Sequence, residues 1–385
     1  MKLLSVETTP NPNSMKLNVD ESLAKGVAIT YTPENKGDCP DYIAKILDIP
    51  GVNSVFRVAD FMAIQRRPTA PWEDILSHAR AILEEATPPS ETLQNQAATP
   101  DEQWGEARVS VQYFRRIPML VKVSAGDEVM RLALPDRFGK AIEHAMGASK
   151  NMLMERKWVD EGVRYGDLRE VGDAVVREIS AVYSAKKVDD LVERAYHPES
   201  GETEKVRAGE EELAQALDSP DWEERFAALK ELGRLATAQI EPQALSRIIK
   251  ATKDPKMSIR RLAVVYLGLI KNPEVLTPLC EALRDKAVGV RRSAGDALTD
   301  LGDPRAMGPM IETLKDSNKL VRWRAGRFLF ELGDESALPA LREAQNDPEF
   351  EVRMQIRQAI ERIKSGKEGQ GPVWQQMTRN VEKKT

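Results

Sequence analysis

Residues 254–267 read DPKMSIRRLAVVYL, and the phrase returns as DKAVGVRRSAGDAL at 285–298, DSNKLVRWRAGRFL at 316–329 and DPEFEVRMQIRQAI at 347–360. An Asp opens each copy (Asp254, Asp285, Asp316, Asp347), always 31 residues after the last. Six residues later comes an Arg: Arg260, Arg291, Arg322 and Arg353. A small or apolar residue follows (Ala263, Ala294, Ala325, Ile356), then an apolar one four further on (Leu267, Leu298, Leu329, Ile360). A looser first copy uses Asp218, Arg225, Ala228 and Leu232. Apolar residues at such spacing belong to one helix face, and self-similarity at a fixed period marks stacked units that bury those faces against each other.

Ahead of each copy runs a second apolar series in register: Leu245, Ile248, Ile249; Leu276, Leu279, Cys280; Met307, Met310, Ile311. Each unit is therefore read as a helix pair, and residues 205–364 as an all-α solenoid of about five repeats. The Asp is expected to cap the second helix, and the Arg to pair with the Asp of a neighbouring repeat. Asp254, Arg260, Asp285, Arg291, Asp316, Arg322, Asp347 and Arg353 then form a structural ladder. Outward positions of the second helices are Arg261, Arg292, Trp323 and Arg324, with Arg327 a turn later. An aromatic set among arginines is a patch suited to anchoring a protein interface. The competing reading packs Trp323 between repeats and leaves the arginines in solvent.

Residues 1–86 alternate in the strand manner at 2–6, 15–19, 28–32, 54–58 and 61–65, interrupted by helices starting near Pro40 and Pro71. That is a small α/β module. Residues 87–104 are rich in Pro, Gln, Ser and Thr and read as a linker. Residues 105–196 read as α+β, with strands near 107–114, 119–123 and 129–134 and three later helices. Between its halves lies ERKWVDEGVRYGD, where Arg156, Trp158, Arg164 and Tyr165 are candidates for a charged pocket or docking loop. The alternative there is a salt-bridged surface loop around a buried Trp158. Residues 365–385 read as a flexible tail.

At 41% hydrophobic and 30% charged residues, with a net charge of −5, the composition fits a folded domain protein without the basic tract expected of a nucleic-acid binder. No apolar run reaches the roughly 20 residues that span a bilayer. The N-terminus turns polar at Ser5 and lacks a signal-peptide core, so a cytoplasmic location is expected. Cys39 and Cys280 lie far apart, and His78, His144 and His197 sit in separate segments. Cys39, before Pro40 at a helix start, is the one thiol whose position favours reactivity; a passive role is the alternative. No phosphate loop, dinucleotide fingerprint, GxSxG or HExxH occurs. Catalytic residues, cofactors and metals are accordingly not expected, and the chain reads as a non-enzyme.

Three resemblances add to this. The VR…A…L phrasing and its spacing resemble short HEAT repeats of the type shared with phycobilisome lyases. TPNPNSMK (Thr9–Lys16), IPGVNSVFRVADFMAIQRR (Ile49–Arg67) and PWEDI (Pro71–Ile75) resemble the N-terminal domain of Nfu-type iron–sulfur scaffold proteins. That family holds its cluster on a Cys-x-x-Cys pair in another domain, and this chain has no such pair. Together with RKWVDEGVRYGD (Arg156–Asp167), the order of modules resembles the bacterial conserved virulence factor C family, which implies support of toxin and haemolysin production rather than a reaction. The resulting expectation is a scaffold that binds proteins through its solenoid and its Nfu-like module. An accessory factor of iron–sulfur assembly, contacting a cluster carrier or target, is the alternative. A lyase or DNA glycosylase built on HEAT repeats is the distant one.

Overall fold

The computed structural model describes residues 2–9, 11, 13–24, 27–67, 70–83, 106–126, 128–196, 209–235, 241–270 and 272–366. The linker at 87–104 and all but the first two residues of the tail fall outside them. The chain divides into two compact units, one of residues 1–105 and 344–358, the other of residues 106–343 and 359–385.

In the first unit, β1 (Leu3–Thr8), β2 (Ser14–Val19), β3 (Ala28–Tyr31), β4 (Val52–Val58) and β5 (Phe61–Arg66) form an antiparallel sheet in the order β1-β2-β5-β4-β3. Helices α1 (Asp41–Leu47) and α2 (Trp72–Leu83) supply Ile43, Ile46, Trp72, Ile75 and Ala79 to a core with Met15, Leu17, Met62 and Ile64. Every second residue of β2 and β5 is buried, which is how a sheet with one covered face reads in sequence. Buried Arg57 ties the β4–β5 turn by donating to the carbonyls of Ala59 (2.6 Å), Phe61 (2.8 Å) and Glu21 (2.6 Å).

The last copy of the repeat contributes to this unit. Phe350 and Met354 pack against its core, and Thr8 Oγ1 donates to Gln355 (2.8 Å) and Gln358 (2.9 Å). Arg66 forms a buried ion pair with Glu351 while also donating to the Ala70 carbonyl at 2.6 Å. Arg353 pairs with Glu73 at 2.8 Å.

The second unit begins with a four-stranded antiparallel sheet of β6 (Glu106–Phe114), β7 (Ile117–Ala125), β8 (Glu128–Ala133) and β9 (Arg156–Tyr165), in the order β8-β7-β6-β9. Helices α3 (Asp136–Met146), α5 (Leu168–Val182) and α6 (Ala185–Tyr196) bury Phe138, Ile142, Val175, Ile179 and Leu191 against Val109, Val111, Val121 and Val123. The short α4 (Met152–Glu155) leads into β9.

The polar-aromatic stretch is thus a strand, not a loop, and its Trp158 is 42% exposed rather than buried. Nearly every residue of β9 faces solvent, so no alternation advertises it. A register shift opposite Val109 and Ser110 places a bulge at Gly162, whose φ of 84° suits a residue without a Cβ.

The solenoid follows as helix pairs: α7 (Glu210–Ala216) with α8 (Trp222–Leu235), α9 (Pro242–Ala251) with α10 (Met257–Leu269), α11 (Leu276–Ala282) with α12 (Val288–Leu301), and α13 (Met307–Thr313) with α14 (Lys319–Leu332). A last pair is α15 (Leu338–Ala344) and α16 (Phe350–Lys364). The periodic positions Ala263, Leu267, Ala294, Leu298, Ala325 and Leu329 are all fully buried.

Arg225, Arg260 and Arg291 each grip the next copy's Asp side-on. Nε donates at 2.7 Å to Asp254, Asp285 and Asp316, and Nη2 donates to the second oxygen at 3.2, 3.0 and 2.9 Å. The remaining Nη1 donates to a carbonyl of the arginine's own turn, as it also does in Arg322 and Arg353.

The Asp does not cap the second helix as expected. It accepts from the N–H two residues on, at Lys256, Ala287, Asn318 and Glu349, closing the turn before the helix. The cap of α14 is Asn318, which accepts from Leu320 N at 3.0 Å.

Candidate functional site

The 31-residue spacing that builds the ladder also brings Arg261 of α10 and Arg292 of α12 to equivalent places on successive parallel helices. Arg324 of α14 joins them one position out of register. These three were expected as solvated or partner-facing. Instead Arg292 is 8% and Arg324 6% exposed, and the group that covers them is the end of β9 with the adjoining face of α5.

Tyr165 lies against the arginines. The Arg292 guanidinium carbon sits 3.2 Å from its ring centroid and that of Arg324 5.6 Å away. From α5, Glu178 accepts two hydrogen bonds from Arg164 (3.2 and 2.9 Å) and lies 3.7 Å from Arg261. Arg324 Nε donates to Asp296 at 2.8 Å, and its Nη1 to the Leu320 carbonyl at 3.2 Å. Its aliphatic stem passes over Gly295, where a Cβ would come within 3.1 Å of the Arg324 Cβ, so a side chain there would push the arginine away.

Charge in this buried place is unevenly answered. Burial alone would raise the Glu178 carboxyl, yet Arg164 and Arg261 hold it below its ordinary value. Burial pushes Arg261 down to about 10, the like charge of Arg164 adding to the effect and Glu178 opposing it. Arg292 is pushed down to about 9, by burial first and then by Arg324. Its Nε is sealed from solvent without a hydrogen-bond partner. Arg324, with Asp296 and Tyr165 beside it, is held above its ordinary value despite burial.

Of the sequence-expected residues, Arg261, Arg292, Arg324, Arg164 and Tyr165 therefore meet at one place, facing each other within the chain. Trp323 does not join them as a surface anchor. It is 1% exposed, although it holds the same repeat position as Arg261 and Arg292. Arg327 lies a turn away, close enough to oppose the burial-raised carboxyl of Asp300. Arg156 and Trp158, at the other end of β9, remain apart; Lys122 lies 4.9 Å over the Trp158 ring.

Glu178 was not singled out from sequence. A signal existed: it continues the apolar stripe of Val171 and Val175 on α5, where a carboxylate needs a buried partner. Cys39 Sγ donates to the Lys36 carbonyl at 3.0 Å, at the end of a short helical turn ahead of α1.

Ahead of Arg164 and Tyr165, β9 is open from Lys157 to Val163. It is an edge strand, paired only with β6 among the described strands, and Trp158, Val159 and Val163 are 42%, 44% and 41% exposed. Leu153 and Met154 of α4 continue the apolar surface at 71% and 79%. Among the described residues no group of three His, Cys, Asp or Glu side chains could hold a metal ion, and no helix is long and apolar enough to cross a membrane.

Comparison with known proteins places names on these parts. Residues 4–88 match the family described as scaffold protein Nfu/NifU N terminal. Residues 112–192 match the virulence factor family, and 210–299 and 288–361 match HEAT repeats. A Bacillus subtilis protein called uncharacterized protein YpgR is 50% identical over 100% of both chains. Conserved virulence factor C of Staphylococcus aureus (strain NCTC 8325) is 42% identical over 98% of this chain and 99% of that one. The complex of CpcE and CpcF of phycocyanin lyase from Nostoc is a structural neighbour at 21% identity and a TM-score of 0.35, over 41% of this chain and 66% of that one.

Proposed function

The chain belongs to the conserved virulence factor C family, and we propose that it works as a non-enzymatic cytoplasmic adaptor whose protein contacts support virulence-factor production. The observation that carries this reading is the open edge of β9. Natural sheets blunt exposed edges with short strands, charges or covering elements. Strand β9 carries Lys157, Asp160, Glu161 and the bulge at Gly162, yet over ten residues it still keeps Trp158, Val159 and Val163 in solvent beside Leu153 and Met154. Such an edge suits an extended segment of a partner, with main-chain hydrogen bonds supplying affinity and apolar side chains supplying selectivity. In this reading the concave arginines of the solenoid hold the middle domain, and the solenoid serves as its platform. The Nfu-like module offers a separate docking surface.

The test is crosslinking pull-down from cells with the full chain carrying Trp158→Ala and Val163→Lys. Both residues are exposed, so the fold is retained, which circular dichroism checks. A partner captured by the parent and lost from the variant supports the reading; an unchanged partner set contradicts it.

The Nfu-type match over residues 4–88 favours one second reading, an accessory factor that contacts an iron–sulfur cluster carrier or target. Unchanged activity of cluster-dependent enzymes in a deletion strain removes it.

A further inference from the structure

Four guanidinium groups, those of Arg164, Arg261, Arg292 and Arg324, meet two carboxylates, Glu178 and Asp296, where the middle domain lies on the solenoid. Arg164 and Arg261 share Glu178, and Arg324 takes Asp296. Arg292 is left over. Among the described residues no carboxylate lies within ion-pair distance of it, its Nε has no hydrogen-bond partner, it stacks on the face of Tyr165, and the more distant Asp296, already taken by Arg324, opposes its burial only in part. The surrounding charges do not correct the imbalance. Lys230, near Glu178, is offset by Glu231, near Tyr266, and Arg327 by Asp300.

A guanidinium that is more than nine-tenths buried and unanswered is a costly arrangement, because an isolated charge loses its hydration without compensation. Its stack on Tyr165 returns only part of this. We propose that Arg292, flanked by Arg261 and Arg324, is a binding site for a phosphate-type dianion. The arginine fork matches a tetrahedral oxyanion bidentately, and a dianion neutralises the two-charge excess of the cluster. Burial and the like charge of Arg324 depress Arg292, and an anion held against it favours the charged form.

The experiment titrates inorganic phosphate and pyrophosphate into the full chain by isothermal calorimetry at low ionic strength. Saturable binding is expected, weakened at least about tenfold in Arg292→Gln, with Arg292→Lys intermediate because it keeps the charge and loses the fork. Arg305→Gln, an exposed arginine paired with Asp303, is expected to bind as the parent does. If Arg292→Gln does not fold, Arg292→Lys carries the comparison. Absence of saturable binding by either anion, or equal binding by the parent and the folded Arg292 variant, overturns the proposal. Sedimentation with vesicles containing phosphatidic acid separates the sources. Vesicle binding lost with Arg292 places the phosphate on a lipid headgroup, and soluble binding without it places the phosphate on a free molecule.

Discussion

Arg292 and Glu178 stand on either side of one cluster and answer opposite questions about buried charge. Removing Glu178 as Glu178→Gln strands Arg164 and Arg261 without their shared carboxylate, and the expected loss is about 3 kcal/mol by chemical denaturation. Replacing Arg292, which has no carboxylate in ion-pair contact among the described residues, by Met removes a charge that Tyr165 and the more distant Asp296 answer only in part, and the change is expected to stay within about 1 kcal/mol of the parent in phosphate-free buffer. A larger loss at Arg292 than at Glu178 would contradict this view of the cluster. The pH dependence follows from Glu178 as well. Its carboxyl lies lower in the folded chain than in the unfolded one, so its contribution is complete above about pH 4.3 and disappears as pH falls through the lowered folded value. Glu178→Gln is therefore expected to flatten the acid limb of the stability curve, measured from pH 3 to about pH 6. The individual arginines were legible because the repeat marks outward positions. Their covering was not, since Tyr165 and Glu178 come from another domain and follow no period shared with the solenoid.

At the scale of elements, the side-on pairing of Arg225, Arg260 and Arg291 with the next copy's Asp was legible, whereas the capping role of the Asp was not, and Arg353 of the last copy pairs with Glu73. Each copy must present the same Arg and Asp to stack on the next, so the constraint is written once per 31 residues. The misplaced detail was local: the Asp closes the turn while the residue two further on takes the N-cap position, and a short-range pattern does not distinguish the two. Asp285→Ala removes both the side-on pair with buried Arg260 and the acceptor for Ala287 N–H. Its expected cost is about 3 kcal/mol, read as a lower denaturation midpoint at unchanged slope. The outer Asp218, which pairs with Arg247 and Lys250 in solvent, is expected to have little effect when replaced by Ala. Strand β9 is the opposite case. Period-two alternation appears only where one face of a strand is buried, and β9 has solvent on nearly all of it, so the sequence looked like a loop.

Across the whole molecule, the chain joins an Nfu-like module, a virulence-factor domain and HEAT repeats. In the proposed function the middle domain's open edge binds the partner, and the solenoid's arginines have an internal duty. It follows that Trp158→Ala with Val163→Lys is expected to reduce toxin production in a complemented deletion strain without lowering the amount of protein, while Asp285→Ala acts only by lowering that amount. The most direct measurement places a photo-crosslinking residue at Val163 on β9 and, as a control, at the exposed Lys315 on the solenoid. A discrete protein adduct at position 163 that is absent at 315, and lost when Trp158 is replaced by Ala, is the predicted result. Equal labelling at both positions, or none at 163, would contradict the claim that this strand is the protein's binding edge.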